Sequence, residues 1–287
     1  MKDGFIKVTG GQVYYKKVGN GTGIPLILLH GGPGGSHNGF NKLAALGEER
    51  PVIFYDQLGS GKSDRPSDKS LWTVDRFIEE LNQIRVALEL EHLHILGHSW
   101  GTMLAASYML TQPKGVQSVI FSSPCLSAPQ WAADQKENLK ELPVEVQETL
   151  ERCEREGTTD SEAYKTAMKE FNNRFVCRLK DVPQDCKPDK EAFNEVVYET
   201  MWGPSEFYTT GLLKTYDVTE DLHQIKCPTL FTCGRYDEAT PETTKGYSQK
   251  VSGSEFRVFE NSAHMGYVEE PDTYIKVIGD FLKSVER

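Results

Sequence analysis

The five residues Gly97-His98-Ser99-Trp100-Gly101, GHSWG, directly follow the apolar run LHIL at positions 93–96. A serine between two glycines, each two positions away, is the pattern of a nucleophile elbow, a sharp turn that joins a strand to a helix. The residue at the tip of such a turn has a strained backbone and needs small neighbours to avoid clashes. A chance match in a strand–helix loop would have the same sequence. The surrounding chain therefore has to distinguish a nucleophile elbow from a chance match.

The chain on both sides of the pentapeptide alternates between strand and helix patterns. Residues 24–30 and 51–57 are almost continuously apolar, as expected for strands buried on both faces. Residues 73–89 carry apolar side chains at helical spacing, with Thr73 in the N-cap position. Further segments continue the alternation: an outer antiparallel strand at 12–18, strands at 93–98, 116–123, 227–237 and 254–262, and helices at 99–110, 241–251 and 271–285. This order predicts an α/β fold with a mostly parallel, doubly wound sheet.

Residues 124–222 interrupt the alternation. Their charged segments have helical spacing and contain no clear buried strand. We therefore expect an inserted helical cap over residues 124–222 and a core built from residues 1–123 and 223–287. The expected cap holds 21 acidic and 12 basic residues, so nearly all of the net charge of −10 lies there. Solvated helix faces account for most of these acids, but their field would also attract a cationic substrate.

Composition and charge exclude several classes of function. The 287-residue chain is 38% hydrophobic and 26% charged, which is typical of a globular protein. Its negative charge argues against nucleic-acid binding, and no apolar run reaches the roughly 18–20 residues of a membrane span. The first residues lack the apolar centre of a signal peptide, and the six cysteines form no C-x-x-C pair. We therefore expect reduced thiols in a cytoplasmic protein.

A nucleophilic serine needs a base, and the base needs a carboxylate to orient it. In α/β-hydrolases these residues follow in the order serine, acid, histidine. Here Ser99 is followed by Asp237 and then by His264, each just after a predicted strand. Either residue alone could be an ordinary loop side chain. The order and the positions together predict a catalytic triad of Ser99, Asp237 and His264 on an α/β-hydrolase fold.

The segment HGGPGG at positions 30–35 directly follows the strand predicted at 24–30. Glycines let backbone N–H groups point at developing negative charge without obstruction by side chains. We expect Gly31 and Gly32 to form one half of an oxyanion hole and the N–H of Trp100 to form the other. No cysteine or carboxylate cluster completes a metal site, so we expect neither a metal nor a cofactor.

Five stretches, HGGPGG, YDQLGSGKSDRP, GHSWGT, GRYDE and NSAHM, resemble the proline iminopeptidase (prolyl aminopeptidase) family of α/β-hydrolases. The resemblance spans nearly the whole chain and is weakest in the expected cap. It implies an enzyme that removes a free N-terminal residue, often proline, from short peptides. It also implies two carboxylates that bind the substrate amine, which match Glu238, next to Asp237, and Glu206 in the segment MWGPSEF. Nearby aromatic residues that could form a ring pocket are Trp202, Phe207 and Tyr208, although aromatic residues at helical spacing more often belong to a core.

Three functions therefore remain open. The first is a serine exopeptidase that releases proline or another small N-terminal residue from a peptide with a free amine. The second is an amino-acid amidase or esterase that uses the same residues. The third is a ligand-binding homologue that has kept the fold and lost turnover. In each case the expected partner is a small peptide or amino-acid derivative, and neither nucleic acid nor a membrane.

Overall fold

The apolar runs of the sequence form the centre of one β-sheet. The computed structural model describes residues 2–187 and 191–287, which form an eight-stranded sheet in the order β1-β2-β4-β3-β5-β6-β7-β8. The strands are β1 Lys2–Val8, β2 Gly11–Val18, β3 Leu26–Leu29, β4 Val52–Tyr55, β5 Leu93–Ser99, β6 Val116–Pro124, β7 Thr229–Gly234 and β8 Glu255–Phe259. All neighbours from β4 to β8 pair in parallel. The prediction of a mostly parallel α/β sheet is confirmed.

The two strands at one edge run antiparallel to the rest. β1 pairs with β2, and β2 pairs with β4, both in the antiparallel sense. The sequence analysis predicts β2 but not β1. The reason is that β1, with the sequence KDGFIKV, is a half-exposed edge strand with two lysines and a glycine, so it lacks the continuous apolar run of a central strand.

Helices cover both faces of the sheet and also occupy the chain between β6 and β7. They are α1 Val74–Ala87, α2 Trp100–Leu110, α3 Ala128–Leu139, α4 Val144–Glu156, α5 Glu162–Phe171, α6 Glu195–Met201, α7 Pro241–Lys250, α8 Gly266–Glu269 and α9 Pro271–Val285. A long 3-10 helix, His37–Glu48, follows β3 and is absent from the sequence prediction. In the described part of the chain, no helix combines the length and apolar character needed to cross a membrane.

The central strands are buried on both sides. In β3, Ile27 and Leu29 belong to the apolar cluster that packs against α1 and α2. Leu26 and Leu28 belong to the cluster on the other face, which packs against the 3-10 helix and α9. Because side chains alternate between the two faces of a strand, burial of both faces explains why these strands are apolar at nearly every position.

The chain between β6 and β7, residues 125–228, is here called the inserted segment. It contains α3 to α6 and a π-helical turn, Asn172–Val176. It also has an apolar cluster of its own: Leu142, Leu150, Cys153, Tyr164, Ala167, Phe171 and Phe175. Its backbone is joined to the core, because Gly61 N–H donates to Ala192 O and Asn194 N–H donates to Gly34 O. It therefore reaches the loops that follow β3 and β4.

Candidate active site

Ser99 lies at the tip of the turn between β5 and α2. Its backbone angles are φ 53° and ψ −123°, and residues other than glycine rarely adopt a positive φ. The glycines of the motif permit this turn. A Cβ on Gly97 would lie 2.3 Å from Gly101 O, and one on Gly101 would lie 2.1 Å from Leu29 O. The spacing of the two glycines is therefore a packing requirement of the elbow.

Asp237 and His264 are in direct contact. Asp237 follows β7 and His264 follows β8, and both side chains are buried. His264 Nδ1 lies 2.7 Å from Asp237 Oδ1. The carboxylate is held in place because it also accepts hydrogen bonds from Ala239 N–H at 2.8 Å and from Gly234 N–H at 3.1 Å. With Nδ1 engaged, Nε2 is the ring nitrogen available to act as a base.

A cavity of about 180 Å³ lies at the carboxyl edge of the sheet. Six of the eight site residues predicted from the sequence line it: Gly31, Gly32, Ser99, Glu206, Glu238 and His264. Trp100 lines a smaller adjoining cavity of about 20 Å³, together with Ser99 and Glu206. Asp237 lies behind His264. The structure thus brings all eight residues to one site.

The glycine loop packs directly against the elbow. A Cβ on Gly31 would lie 2.9 Å from Ser99 Cβ and 3.1 Å from His98 Cδ2. Gly35 N–H donates to Gly32 O at 2.7 Å and closes a tight turn, in which Gly32 has φ 54°. The absence of a side chain at Gly31 therefore allows backbone N–H groups of this loop to come close to Ser99.

Two carboxylates face the same cavity. Glu238 is 1% exposed, and its Oε2 has no hydrogen-bond partner among the residues that the structure describes. Its other oxygen, Oε1, lies 3.6 Å from His264 Nε2. Burial raises the pKa of Glu238 well above its usual range, and the neighbouring Glu206 and Asp237 raise it further. Burial also raises the pKa of Glu206, whose Oε1 accepts a 2.6 Å hydrogen bond from Tyr198 OH. Such a pair is poised to receive a cation.

Comparison with known proteins places this arrangement in a family. A family model described as alpha/beta hydrolase fold matches residues 24–271. The proline iminopeptidase of Heyndrickxia coagulans is 59% identical over 285 residues, which cover 99% of each chain. That of Lactobacillus crispatus is 39% identical and covers 98% of this chain and 97% of its own. The chain belongs to the proline iminopeptidase family of α/β-hydrolases.

Solved structures agree with this assignment. The crystal structure of a proline iminopeptidase from Mycobacterium smegmatis superimposes with a TM-score of 0.91 at 33% identity, covering 99% of this chain and 98% of that one. The crystal structure of VinJ gives a TM-score of 0.94 at 34% identity, with 99% of both chains covered. The resemblance stated from the sequence motifs and the predicted α/β-hydrolase fold are both confirmed.

Some residues at this proline iminopeptidase-type site carry no motif in the sequence. Trp131 and Tyr198 line the smaller cavity, and Phe193 lines the larger one. Trp131 Nε1–H donates to Glu206 O at 2.8 Å, and its ring is edge-on to that of His264, with centroids 5.9 Å apart. These residues come from separate elements of the inserted segment, so no local pattern could have identified them.

The aromatic residues suggested for a ring pocket divide into two groups. Trp202 lines the smaller cavity beside Trp131. Phe207 instead packs against Phe171 and Tyr164 in the core of the inserted segment, and Tyr208 is 39% exposed. Trp202 therefore lies where a ring pocket could form, whereas Phe207 and Tyr208 line neither of these two cavities. Across residues 2–187 and 191–287, no group of three or more His, Cys, Asp or Glu side chains could hold a metal ion.

Proposed function

We propose that this protein is a serine aminopeptidase that releases an N-terminal proline, or another small N-terminal residue, from short peptides. The observation that carries the proposal is the pair of carboxylates, the buried Glu238 and the partly buried Glu206, in the cavity that Ser99 and His264 also line. A buried carboxylate oxygen without a partner is costly unless a cation binds it. The ammonium or pyrrolidinium group of a peptide N-terminus is a cation of the right kind.

The reaction is an acyl transfer in two steps. Ser99 Oγ attacks the carbonyl carbon of the first peptide bond while His264 Nε2 takes the hydroxyl proton, and that proton then passes to the leaving amine. A water molecule, deprotonated by the same nitrogen, next hydrolyses the acyl-enzyme and restores Ser99. Asp237 accepts a hydrogen bond from His264 Nδ1–H, with 2.7 Å between Oδ1 and Nδ1, and so keeps the ring in its orientation and tautomer. The backbone N–H groups of the Gly31–Gly32 loop and of Trp100 stabilise the oxyanion.

The two carboxylates restrict the enzyme to chain ends. A peptide interior has no ammonium group to offer Glu206 and Glu238, so binding it would desolvate both carboxylates without supplying a cation and would leave Glu238 Oε2 without a partner. The same two groups would also admit an amino-acid amide or ester, because these carry the same free amine. Peptide cleavage and amide cleavage therefore have to be separated by experiment.

We further propose that residues 124–222 act as a cap over the core formed by residues 1–123 and 223–287. Two observations support this: Glu206 comes from this segment, and Phe175 O accepts hydrogen bonds from the N–H groups of both Glu238 and His264, each at 3.2 Å. The acidic surplus of this segment would favour approach of a cationic peptide end. All six cysteines are free thiols, which supports a reducing, cytoplasmic setting.

A panel of substrates tests the proposed function. Prolyl-, alanyl- and leucyl-β-naphthylamide are compared with N-acetylprolyl-β-naphthylamide, prolinamide and a prolyl dipeptide, and a fluorophosphonate probe reports whether Ser99 is reactive. We expect prolyl-β-naphthylamide and the dipeptide to be cleaved at least tenfold faster than the leucyl compound, and the N-acetylated compound at least a hundredfold slower. Equal turnover of the free and acetylated compounds would exclude an aminopeptidase, and cleavage of prolinamide but not the dipeptide would indicate an amidase.

A further inference from the structure

Gln57, in the loop after β4, connects the two sides of the proposed oxyanion hole. The residue is 1% exposed. Its side-chain Nε2–H donates to His30 O at 3.2 Å, and its Oε1 accepts from Trp100 Nε1–H at 2.8 Å. One amide group therefore binds the residue that precedes Gly31 and also the residue that follows Ser99. An amide is suited to this place because it offers a donor and an acceptor together.

The bond to His30 O fixes the direction of Gly31 N–H. The carbonyl of His30 and the N–H of Gly31 belong to one planar peptide unit and point in opposite directions. When Gln57 holds the oxygen at one end, the N–H at the other end cannot rotate away. Gly31 itself packs against Ser99, where a Cβ would lie 2.9 Å from that of the serine.

The next peptide unit is held by the ring of His30. Gln57 backbone N–H donates to His30 Nε2 at 3.0 Å, so Nε2 is an acceptor and the ring proton lies on Nδ1. Nδ1 is 3.1 Å from Gly31 O and donates to it, which fixes the peptide that carries Gly32 N–H. Burial lowers the pKa of His30 to about 4, so the neutral ring persists at physiological pH. Gln57 thus supports both glycine peptides, one through its side chain and one through this imidazole.

On the other side, Gln57 holds the side chain of Trp100. The indole is buried at the start of α2, with its N–H on Gln57 and its ring edge-to-face with Phe77 at 5.5 Å. Fixing this side chain helps to hold the first turn of α2, whose Trp100 backbone N–H is the second proposed donor. We infer that Gln57 is a positioning residue that aligns both halves of the oxyanion hole. The inference rests on the proposed function only in taking these N–H groups as the donors.

The test is Gln57→Met, which keeps the length and volume of the side chain and removes both side-chain hydrogen bonds. Loss of one complete oxyanion donor costs about 10²- to 10³-fold in kcat, and loss of alignment should cost less. We expect kcat to fall about 10- to 100-fold on both prolyl-β-naphthylamide and p-nitrophenyl acetate, while KM changes less than threefold. A kcat within twofold of wild type on both substrates would overturn the inference.

A pair of inhibitors separates alignment from general loosening of the site. A boronic acid that carries the proline ring forms a tetrahedral adduct with a reactive serine, whereas free proline does not. Gln57→Met should weaken binding of the boronic acid by about the same factor as kcat, and that of proline less than threefold. Equal weakening of both would contradict a positioning role.

Ser118→Ala is the matched control. Ser118 is fully buried on β6, and its Oγ lies 2.7 Å from His94 Nδ1, so the variant also loses a buried hydrogen bond, but at the opposite end of the sheet from Ser99. We expect its Tm to fall while its kcat stays within twofold of wild type. Should Gln57→Met fail to fold, Trp100→Phe removes the indole N–H donor to Gln57, keeps an aromatic ring of smaller size, and should lower kcat about 3- to 10-fold on both substrates. Unchanged kcat in folded Trp100→Phe would then count against the inference.

Hydrolysis of p-nitrophenyl acetate distinguishes failure of the proposed aminopeptidase function from failure of the proposed role of Gln57. Should the wild-type protein cleave no aminoacyl compound, the proposed function fails, yet ester hydrolysis through Ser99 still reports on the oxyanion hole. Should aminoacyl cleavage be normal while Gln57→Met is unaffected, only the role of Gln57 fails.

Discussion

The carboxyl edge of the sheet and the inserted segment contribute to the same cavity, but they hold their functional groups in different ways. At the edge, Ser99 sits on a turn that two nearby glycines permit, and His264 is held by a carboxylate anchored to backbone N–H groups. In the inserted segment, Glu206 lies in an irregular stretch between α6 and β7 and depends on Tyr198 and Trp131. Local backbone geometry positions the functional groups at the edge, whereas side-chain contacts between separate elements position Glu206 in the inserted segment.

This difference predicts two kinds of variant. Changes at the edge should affect every substrate, because they disturb the bond-making groups themselves. Changes in the inserted segment should affect substrates according to whether they carry a free amine. Substitutions at Ser99, Glu206 and Tyr198 test that division.

The largest effect is expected at Ser99. Ser99→Ala should fold normally, because a small side chain fits the elbow, and should lose at least 10³-fold in kcat on every substrate, since removal of one member of a catalytic triad disables the whole. Turnover of the naphthylamide and of p-nitrophenyl acetate measures this, with Ser118→Ala as the folded control. Retention of more than a tenth of wild-type activity on either substrate would mean that another residue is the nucleophile.

The same difference explains what could be predicted from the sequence. Gly97 and Gly101 are both needed for a turn of five residues. The motif and its position after an apolar run are therefore enough to predict the turn and Ser99 at its tip. Asp237 and His264 could be found because parallel strands bring their carboxyl ends to one edge. The mostly parallel sheet and the two-sided burial of β3 follow from the alternating strand and helix pattern and from the continuous apolar runs.

Contacts between distant side chains could not be predicted in this way. Trp131 lies 75 positions from Glu206, and Gln57 lies 43 positions from Trp100. No spacing rule links residues this far apart, and each pair joins two elements or loops that meet only in the folded chain. Glu206 itself could be named only through the family resemblance, because no local pattern distinguishes it from the other acids of the inserted segment.

The second prediction concerns Glu206. Removing one partner of a desolvated, hydrogen-bonded charge pair costs roughly 2–5 kcal/mol, and here two acids share one ammonium group. Glu206→Gln should therefore lower kcat/KM for prolyl-β-naphthylamide by about 10- to 10³-fold, at 1.4 kcal/mol per factor of ten. The loss on p-nitrophenyl acetate should be at least tenfold smaller, because the ester has no amine.

Glu199→Gln is the control for this prediction, since Glu199 is an exposed acid on the neighbouring helix α6. It should stay within twofold of wild type on both substrates. Equal losses on both substrates in Glu206→Gln would show that this carboxylate supports the triad, and the division between edge and inserted segment would fail.

A smaller effect is expected at Tyr198. Tyr198→Phe removes the 2.6 Å hydrogen bond to Glu206 and leaves the ring in place. A hydrogen bond of this kind contributes roughly 1 kcal/mol, so kcat/KM for the free-amine substrate should fall about 3- to 10-fold, with kcat on the ester unchanged within twofold. Tyr208→Phe, at an exposed position, should have no effect. A loss in Tyr198→Phe that appears on the ester alone would contradict the proposed role of Glu206.

The smallest effect is on stability, and it concerns Glu238. This residue follows Asp237 at the carboxyl edge of the sheet, yet its Oε2 lacks a hydrogen-bond partner in the described structure, unlike Asp237, whose carboxylate accepts two backbone hydrogen bonds. Because burial raises its pKa, the folded protein keeps this proton at a pH where the unfolded chain has lost it. The folded state then binds more protons, and the free energy of unfolding falls as pH rises from about 4.3, the ordinary value, through the raised pKa.

The substitution Glu238→Gln removes this loss of stability at high pH. Thermal melts should therefore show a higher Tm than wild type at pH 8, a smaller gain at pH 6, and little difference near pH 4, while Glu199→Gln should show no such trend. A lower Tm at pH 8 would mean that the ionised carboxylate stabilises the fold, and a group satisfied in this way would have no need of a substrate ammonium.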